Sequence, residues 1–285
     1  MYLVLDIGGT SLKFKVFNLQ RKPIFSNTIH YHKIINNKEI LSIVDKLYTT
    51  LKQKYPITKI AISSLGIVDN KTGKISGLGG INNYNNVNWK TFFAKRHIPV
   101  FIENDANCAA LYELSLNPSI DNAIVLVVGT GLGGATIIGG KLYKGSHGGA
   151  GEVGIGVSEL KNKKFYNIST ATSTYAITSR YFNQTSKKLN GKDIITLYGK
   201  SKIATKIIDE VVFNLSKVII NHALFLDVKY VFIGGAISAN KTYMKLLTKK
   251  VDHLMKLSGQ TKSFKLEKCH DSNDANINGA LTLIK

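Results

Sequence analysis

Two glycine-rich turns, each set between strand-like runs, constrain this chain more than any other feature in it. In the first, the apolar run Tyr2–Leu5 leads into Asp6-Ile7-Gly8-Gly9-Thr10, after which Leu12, Phe14 and Val16 alternate with Ser11, Lys13 and Lys15. Alternation with a period of two marks a half-buried strand, and two strands about a glycine turn make a hairpin. In the second, Ala123–Val128 runs into Gly129-Thr130-Gly131-Leu132-Gly133-Gly134, with a further strand over Ala135–Ile138.

The segments after each turn come in one order. In the first half a third strand is expected near Ile24–Ile29, then a helix over Glu39–Leu51. There Ile40, Ile43, Val44, Leu47, Tyr48 and Leu51 recur at helical spacing. Strands come next at Lys59–Ser63 and Pro99–Ile102 with a short helix, Trp89–Lys95, between them, and a helix contains Asn107–Leu116. The second half has a strand over Lys141–Lys144, an irregular stretch, and a long helix over Ile203–Leu226. Strand Tyr230–Ile233, helix Tyr243–Leu257, strand Phe264–Glu267 and a helix from Asp274 complete it. The same order given twice describes an α/β protein of two domains with mixed sheets and an interdomain cleft, a common place for a substrate site. The domains are expected over 1–115 and 116–273, with the C-terminal helix 274–285 packing back on the first. A length of 285 residues suits two domains of ordinary size.

Composition excludes several classes. The chain is 44% hydrophobic and 20% charged, enough apolar material for packed cores. Its longest apolar runs, such as Ile124–Val128, are strand-sized, so no membrane span is expected. The start MYLVLDIGGT has no basic leader or cleavage site, which points to the cytoplasm. The two cysteines, Cys108 and Cys269, are expected as buried thiols. A net charge of +20 raises the question of nucleic acid. Of the 38 cationic residues, however, only Arg21, Arg96 and Arg180 are arginine, the residue suited to base readout and phosphate clamping. The lysines are scattered, so a solvated surface and no specific nucleic-acid partner are expected.

Glycine turns let backbone N–H groups approach a phosphate closely. Asp6, Gly8, Gly9, Thr10, Ser11 and Lys13 supply one such turn with two hydroxyls and a cation. Gly129, Thr130, Gly131, Gly133 and Gly134 supply a second. Gly234 and Gly235 end the strand Tyr230–Ile233 and leave room for an adenine or ribose. One such turn is a tight turn and no more; three at corresponding strand ends point to a nucleotide site. Gly129-x-Gly131-x-x-Gly134 also matches the dinucleotide fingerprint, which requires a helix directly after it. The next residues are instead Ala135-Thr136-Ile137-Ile138-Gly139-Gly140, β-branched and glycine-ended, so the dehydrogenase reading fails. No P-loop motif is present.

The strand ending at Ile102 runs into Glu103-Asn104-Asp105-Ala106-Asn107. Asn104 or Asp105 can cap the helix beyond it. A carboxylate held at a helix N-terminus is also stabilised as the anion. It is then ready to accept a hydroxyl proton during phosphoryl transfer, which rests mainly on positioning and charge neutralisation.

These segments, with Gly148-Gly149-Ala150-Gly151-Glu152 and Ile233-Gly234-Gly235, resemble the motifs of the ROK sugar kinases, in that family's order and across essentially the whole chain. The resemblance implies two ribonuclease-H-like domains of the actin/hexokinase type, ATP as phosphoryl donor with Mg²⁺, and the 6-hydroxyl of a hexose as acceptor. It assigns Asp105 as general base and Asn104, Asp105 and Glu152 as sugar ligands, with Gly66, Gly79 and Gly80 lining the sugar side. A homodimer is expected, since dimers are common in the family.

Two departures stand out. The family's zinc site takes a histidine just after the Gly-Glu-x-Gly segment and a tight cysteine cluster soon afterwards. Here Ile155 holds the histidine position and no cysteine lies between Cys108 and Cys269, so no zinc site is expected. The family's later glutamate has no match in Ile168-Ser169-Thr170-Ala171-Thr172. Both lost residues face the C1/C2 end of the sugar in relatives. The zinc-less pattern, with Gly79-Gly80-Ile81 through Asn88-Trp89, resembles β-glucoside kinases, which ranks glucose or a β-glucoside first and N-acetylmannosamine second. A sugar-responsive regulator without catalysis is the alternative of another class. Against the repressor form, the phosphate turn begins at Asp6, ahead of which no recognition helix fits; against a bare sensor, Asp105 is retained.

Overall fold

The computed structural model of the protein describes residues 1–77, 80–271 and 274–285. They form two compact units, one of Met1–Leu116, Gly145–Gly149 and Asp274–Lys285, the other of Asn117–Lys144 and Ala150–Asn273.

In the first unit the chain runs β1 (Tyr2–Ile7), β2 (Ser11–Phe17), β3 (Pro23–His30), α1 (Asn37–Lys54) and β4 (Lys59–Ser64). A small hairpin of β5 (Ile67–Asp69) and β6 (Lys74–Ser76) comes next, then α2 (Trp89–Ala94), β7 (Val100–Asn104) and α3 (Asp105–Leu116). The sheet order is β3-β2-β1-β4-β7, antiparallel across the first three strands and parallel from β1 to β4 to β7. Side chains of a strand alternate between faces. On β1, Leu3, Leu5 and Ile7 therefore join Ile40, Val44, Tyr48 and Leu51 of α1 in one core. Val4 points the other way and packs with Ala61, Cys108 of α3 and Ile277, Ala280 and Leu281 of the C-terminal helix Ala275–Thr282.

The expected helix over Glu39–Leu51 extends at both ends in the structure, to Asn37–Lys54, and its start is fixed by a cap. Asn36 accepts from the N–H groups of Lys38 and Glu39, while the Glu39 carboxylate accepts from the Asn36 N–H, a reciprocal cap. Helix α3 begins at Asp105, as a cap at Asn104 requires, and buries Ala106, Asn107, Cys108, Ala109, Ala110 and Glu113.

The second unit repeats the pattern with β8 (Ala123–Val128), β9 (Leu132–Ile138), β10 (Lys141–Tyr143), the hairpin β11 (Val157–Lys161) and β12 (Lys164–Asn167), and α4 (Ser169–Thr172), α5 (Thr174–Thr185), α6 (Gly191–Thr196) and α7 (Lys202–Phe225). After these come β13 (Tyr230–Gly234), α8 (Lys241–Leu257) and β14 (Lys265–Lys268). The sheet order, β10-β9-β8-β13-β14, and its pairing directions match those of the first unit strand for strand. Its core joins Ile124, Leu126 and Val128 to Ile207, Val211, Leu215 and Ile219 of α7 and to Leu247 and Val251 of α8.

Two expectations on this half need correction. The glycine turn is shorter than 129–134, because Gly133 and Gly134 already pair with Val127 and Leu126 in β9. The stretch read as irregular holds the β11–β12 hairpin and helices α4, α5 and α6. Strand β11 is exposed along its length, so it carries no alternating apolar signal. The starts of α5 and α6 are capped: Ser173 accepts from the Ala176 N–H and Asn190 from the Asp193 N–H.

In the first unit the C-terminal helix lies so close to α3 that a Cβ on Gly279 would run into the backbone carbonyl of Cys108. The Arg21 guanidinium also donates to the Ile284 carbonyl at 2.6 Å, and Lys15 pairs with Asp274 at 2.8 Å. Gly279→Ala is expected to force these helices apart at a cost of about 1–3 kcal/mol, the range of an overpacked core. Thermal unfolding should show a Tm lower by several degrees; an unchanged Tm would mean that the contact has slack.

Candidate active site

The turn between β1 and β2 is closed by a hydrogen bond from the Gly8 N–H to the Ser11 carbonyl at 2.9 Å. Thr10 is exposed, and its carbonyl accepts from the Tyr31 N–H at 2.9 Å. Gly9 meets Gly80 backbone to backbone: a Cβ added to Gly80 would sit 2.7 Å from the Gly9 Cα, and one added to Gly9 would sit 3.1 Å from the Gly80 Cα. Only glycine at both places permits this approach. A residue expected on the phosphate side and one expected on the sugar side are thus brought together. Gly79 lies outside the described residues.

Asp6 ends up beneath this turn. It is 8% exposed, accepts a hydrogen bond from Ser63 Oγ at 2.7 Å, and lies 3.5 Å from Asn276 Nδ2. Burial pushes its carboxyl above the ordinary aspartate range, opposed by the Ser63 bond and the attraction of Lys13, its cross-strand partner. A chain of three buried groups braces the same end of the sheet. Ser64 at the end of β4 bonds the Tyr84 hydroxyl at 2.8 Å, which also accepts from Trp89 Nε1 at 3.1 Å. Trp89 was read as the start of a short helix and as part of the 79–89 resemblance; its bond to Tyr84 ties down the segment that carries Gly80.

The base motif stands where β7 becomes α3. Asn104 is the cap: its Oδ1 accepts from the Asn107 N–H at 3.0 Å, and its Nδ2 donates to the Gly66 carbonyl at 3.0 Å. Asp105 is half-buried at the first position of α3, with Oδ1 accepting from the Ala106 N–H at 2.8 Å. Both residues and Gly66 are therefore joined at one strand end. Glu103, quoted in the motif but given no role there, is 1% exposed and holds Asn70, Asn104 and Asn107.

In the second unit the turn tip is Gly129-Thr130-Gly131, closed from the Gly129 N–H to the Gly131 carbonyl at 2.9 Å. Helices that sequence reading missed buttress it. Ser169 Oγ accepts from the Leu132 N–H at 3.0 Å, and the Thr174 N–H at the start of α5 donates to the Gly129 carbonyl at 2.9 Å. Gly134 on β9 abuts Gly151 so closely that neither has room for a Cβ. That contact holds Glu152 beside β9, where burial raises its carboxyl above the usual glutamate range. Gly234 ends β13 and Gly235 lies just beyond it, with φ +83°. A depression of about 520 Å³ opens between α8 and β14, lined by Ser238, Lys241, Lys245, Lys249 and Lys268 among others; it holds none of the expected site residues.

Comparison with known proteins decides the family. The ROK family model matches residues 2–285. The chain belongs to the ROK family. A β-glucoside kinase of Listeria monocytogenes is 29% identical over 286 residues, covering 97% of this chain and 94% of that protein. A ROK protein from Streptococcus pneumoniae, solved in complex with sucrose, superimposes with a TM-score of 0.84 at 28% identity, covering 98% of this chain and 96% of the other. A ROK glucokinase from Streptomyces griseus, in complex with glucose and AMPPNP, shares the fold with a TM-score of 0.85 at 20% identity, covering 99% and 98%. The duplicated mixed sheets are thus the actin/hexokinase-like architecture.

In this ROK chain Ile155, at the position of the expected zinc-ligating histidine, is 62% exposed, and Cys108 and Cys269 are buried and not joined in a disulfide, one in each unit. Among the described residues no group of three or more His, Cys, Asp or Glu side chains could hold a metal ion, and no helix is long and apolar enough to cross a membrane.

The raised pKa of Asp6 gives a signed expectation. Folding disfavours its charged form, so its contribution to stability is present below the unfolded value near 3.8 and lost as pH rises through the higher folded value. Asp6→Asn should therefore raise Tm at neutral pH, with the gain over wild type vanishing as pH falls through the acid range. A Tm difference independent of pH would show that the charge of Asp6 is fully compensated.

Proposed function

We propose that this chain is an ATP-dependent sugar kinase that phosphorylates the 6-hydroxyl of glucose or of the non-reducing glucose of a β-glucoside. The observation that carries the reading is the junction of β7 and α3. A half-buried Asp105 opens a helix capped by Asn104, in a chain 29% identical along nearly its whole length to a β-glucoside kinase. In this reading the Asp105 carboxylate orients the sugar hydroxyl and takes its proton while that oxygen bonds to the γ-phosphorus and the bond to the β-phosphate bridge breaks. Asn104 and Glu152 hold sugar hydroxyls, with Gly66, Gly79 and Gly80 along the sugar. Backbone N–H groups about Gly8-Gly9-Thr10 and Gly129-Thr130-Gly131, with Ser11 and Lys13, receive the phosphates, and Gly234-Gly235 gives room for the nucleoside. Gly133 and Gly134 support the second turn from within β9. The open space about Gly129, where a Cβ would meet nothing within 4 Å, suits a bound phosphate chain. Mg²⁺ arrives with ATP and neutralises charge on its phosphates.

The remaining parts of the proposal are a cytoplasmic homodimer without a specific nucleic-acid partner and without a resident zinc. An exposed Ile155 supports an open C1 end, and the 28% identical ROK relative solved with sucrose supports room for a disaccharide.

Two measurements test this. In an ADP-release assay with Mg²⁺, the chain should turn over glucose and cellobiose faster than N-acetylmannosamine, and Asp105→Asn should lower kcat by ~10²–10⁴ while ATP affinity holds. Wild-type turnover in that variant would reduce Asp105 to a structural residue, and a preference for N-acetylmannosamine would reverse the substrate ranking. Metal analysis of chelator-washed protein should find no stoichiometric zinc; about one zinc per chain would contradict the proposal.

A further inference from the structure

We propose that Glu103 is the positioning residue of this site, a buried carboxylate that orients the Asn104–Asp105 pair and ties it to the turn of the β5–β6 hairpin. The proposal rests on the kinase reading above and assigns Glu103 no contact with substrate.

Strand register brings Asp6, Ser63 and Glu103 side by side across β1, β4 and β7. Their side chains share the sheet face covered by α3 and the C-terminal helix. Glu103 Oε1 accepts from the Asn104 N–H at 2.9 Å and from Asn107 Nδ2 at 3.0 Å, and its Oε2 accepts from Asn70 Nδ2 at 3.2 Å. Asn104 in turn accepts from the Asn107 N–H, so Glu103, Asn104 and Asn107 form one bonded network across the turn that carries Asp105 and Ala106. Asn70 is itself held firmly. Asp69 accepts from the Lys71 N–H at 2.9 Å and from Thr72 Oγ1 at 2.8 Å, and Lys90 Nζ donates to the Asn70 carbonyl at 2.7 Å.

Among the described residues three donors converge on Glu103, and a carboxylate accepts from all of them; a glutamine would turn its NH₂ toward one. The carboxylate also dictates the orientation of the Asn107 amide, whose buried Oδ1 is left without a partner among the described residues. A buried charge beside an unpaired amide oxygen is a poor way to stabilise a fold. It suits a site in which a small displacement of the base costs about 10² in rate.

The test uses the full chain with Glu103→Gln, Asn70→Ala and the double variant. Glu103→Gln should lower kcat for sugar phosphorylation about 10- to 100-fold with KM for ATP changed less than about 2-fold. Asn70→Ala should lower kcat less, and the double variant should match Glu103→Gln, because Asn70 acts through Glu103. Wild-type kcat in Glu103→Gln, or effects that simply multiply in the double variant, would overturn the proposal. Should the wild-type chain phosphorylate no sugar, the kinase reading fails by itself, and positioning is read from amide exchange. Faster exchange at Asn104, Asn107 and the 69–73 turn in Glu103→Gln, with the remaining sheet amides unchanged, would support the clamp. Unchanged protection there, or uniformly faster exchange throughout the first unit, would overturn it.

Discussion

The first unit depends on the burial of β1 on both faces. Leu3, Leu5 and Ile7 fill one core while Val4 fills another, so neither side of the strand can be left to water. Fully burying a side chain of this size is worth ~1.5–3 kcal/mol. Helix α1 covers one face. The other needs α3 and a helix from the far end of the chain, which is why Ala275–Thr282 belongs to the N-terminal unit although the whole second unit intervenes. Gly279 permits the approach, since its missing side chain leaves space for the Cys108 carbonyl.

The same alternation that buries apolar groups along β1 places polar ones at its end. Two residues beyond Val4 on the same face stands Asp6, and its neighbours across β4 and β7 are Ser63 and Glu103. Strand ends are where chains turn and where backbone N–H groups lack ladder partners, so polar side chains gather there without disrupting the core. The Asp6 carboxyl, raised by burial, and the acceptor-only Glu103 thus belong to one polar row beneath the glycine turn and the base.

Much of this was legible in the residues. Glycine turns between alternating runs marked both hairpins, and the duplicated order anticipated two sheets of identical topology. The motif Glu103–Asn107 stood out because a strand end leading directly into helical spacing leaves a carboxylate at a helix start. The hairpin β11–β12 and helices α4 to α6 were not legible, because exposed strands and short helices carry little periodicity. The roles of Ser64, Tyr84 and Trp89 were equally hidden, since the bonds that join them span 5 and 20 residues and depend on how the 80–89 segment folds over β4.

By itself the sequence determined the period of the longer elements, the two glycine turns, the family and the identity of the candidate base, because these are set by local residue order. Only the tertiary structure decided that Gly9 abuts Gly80, that Asn104 rather than Asp105 caps α3, and that Glu103 binds three asparagine donors. The Gly9–Gly80 approach and the Asn70–Glu103 bond join segments far apart in the chain and leave no mark in the spacing of either one. The cap and the other two bonds of Glu103 are local, but residue order does not say which side chain turns to which N–H.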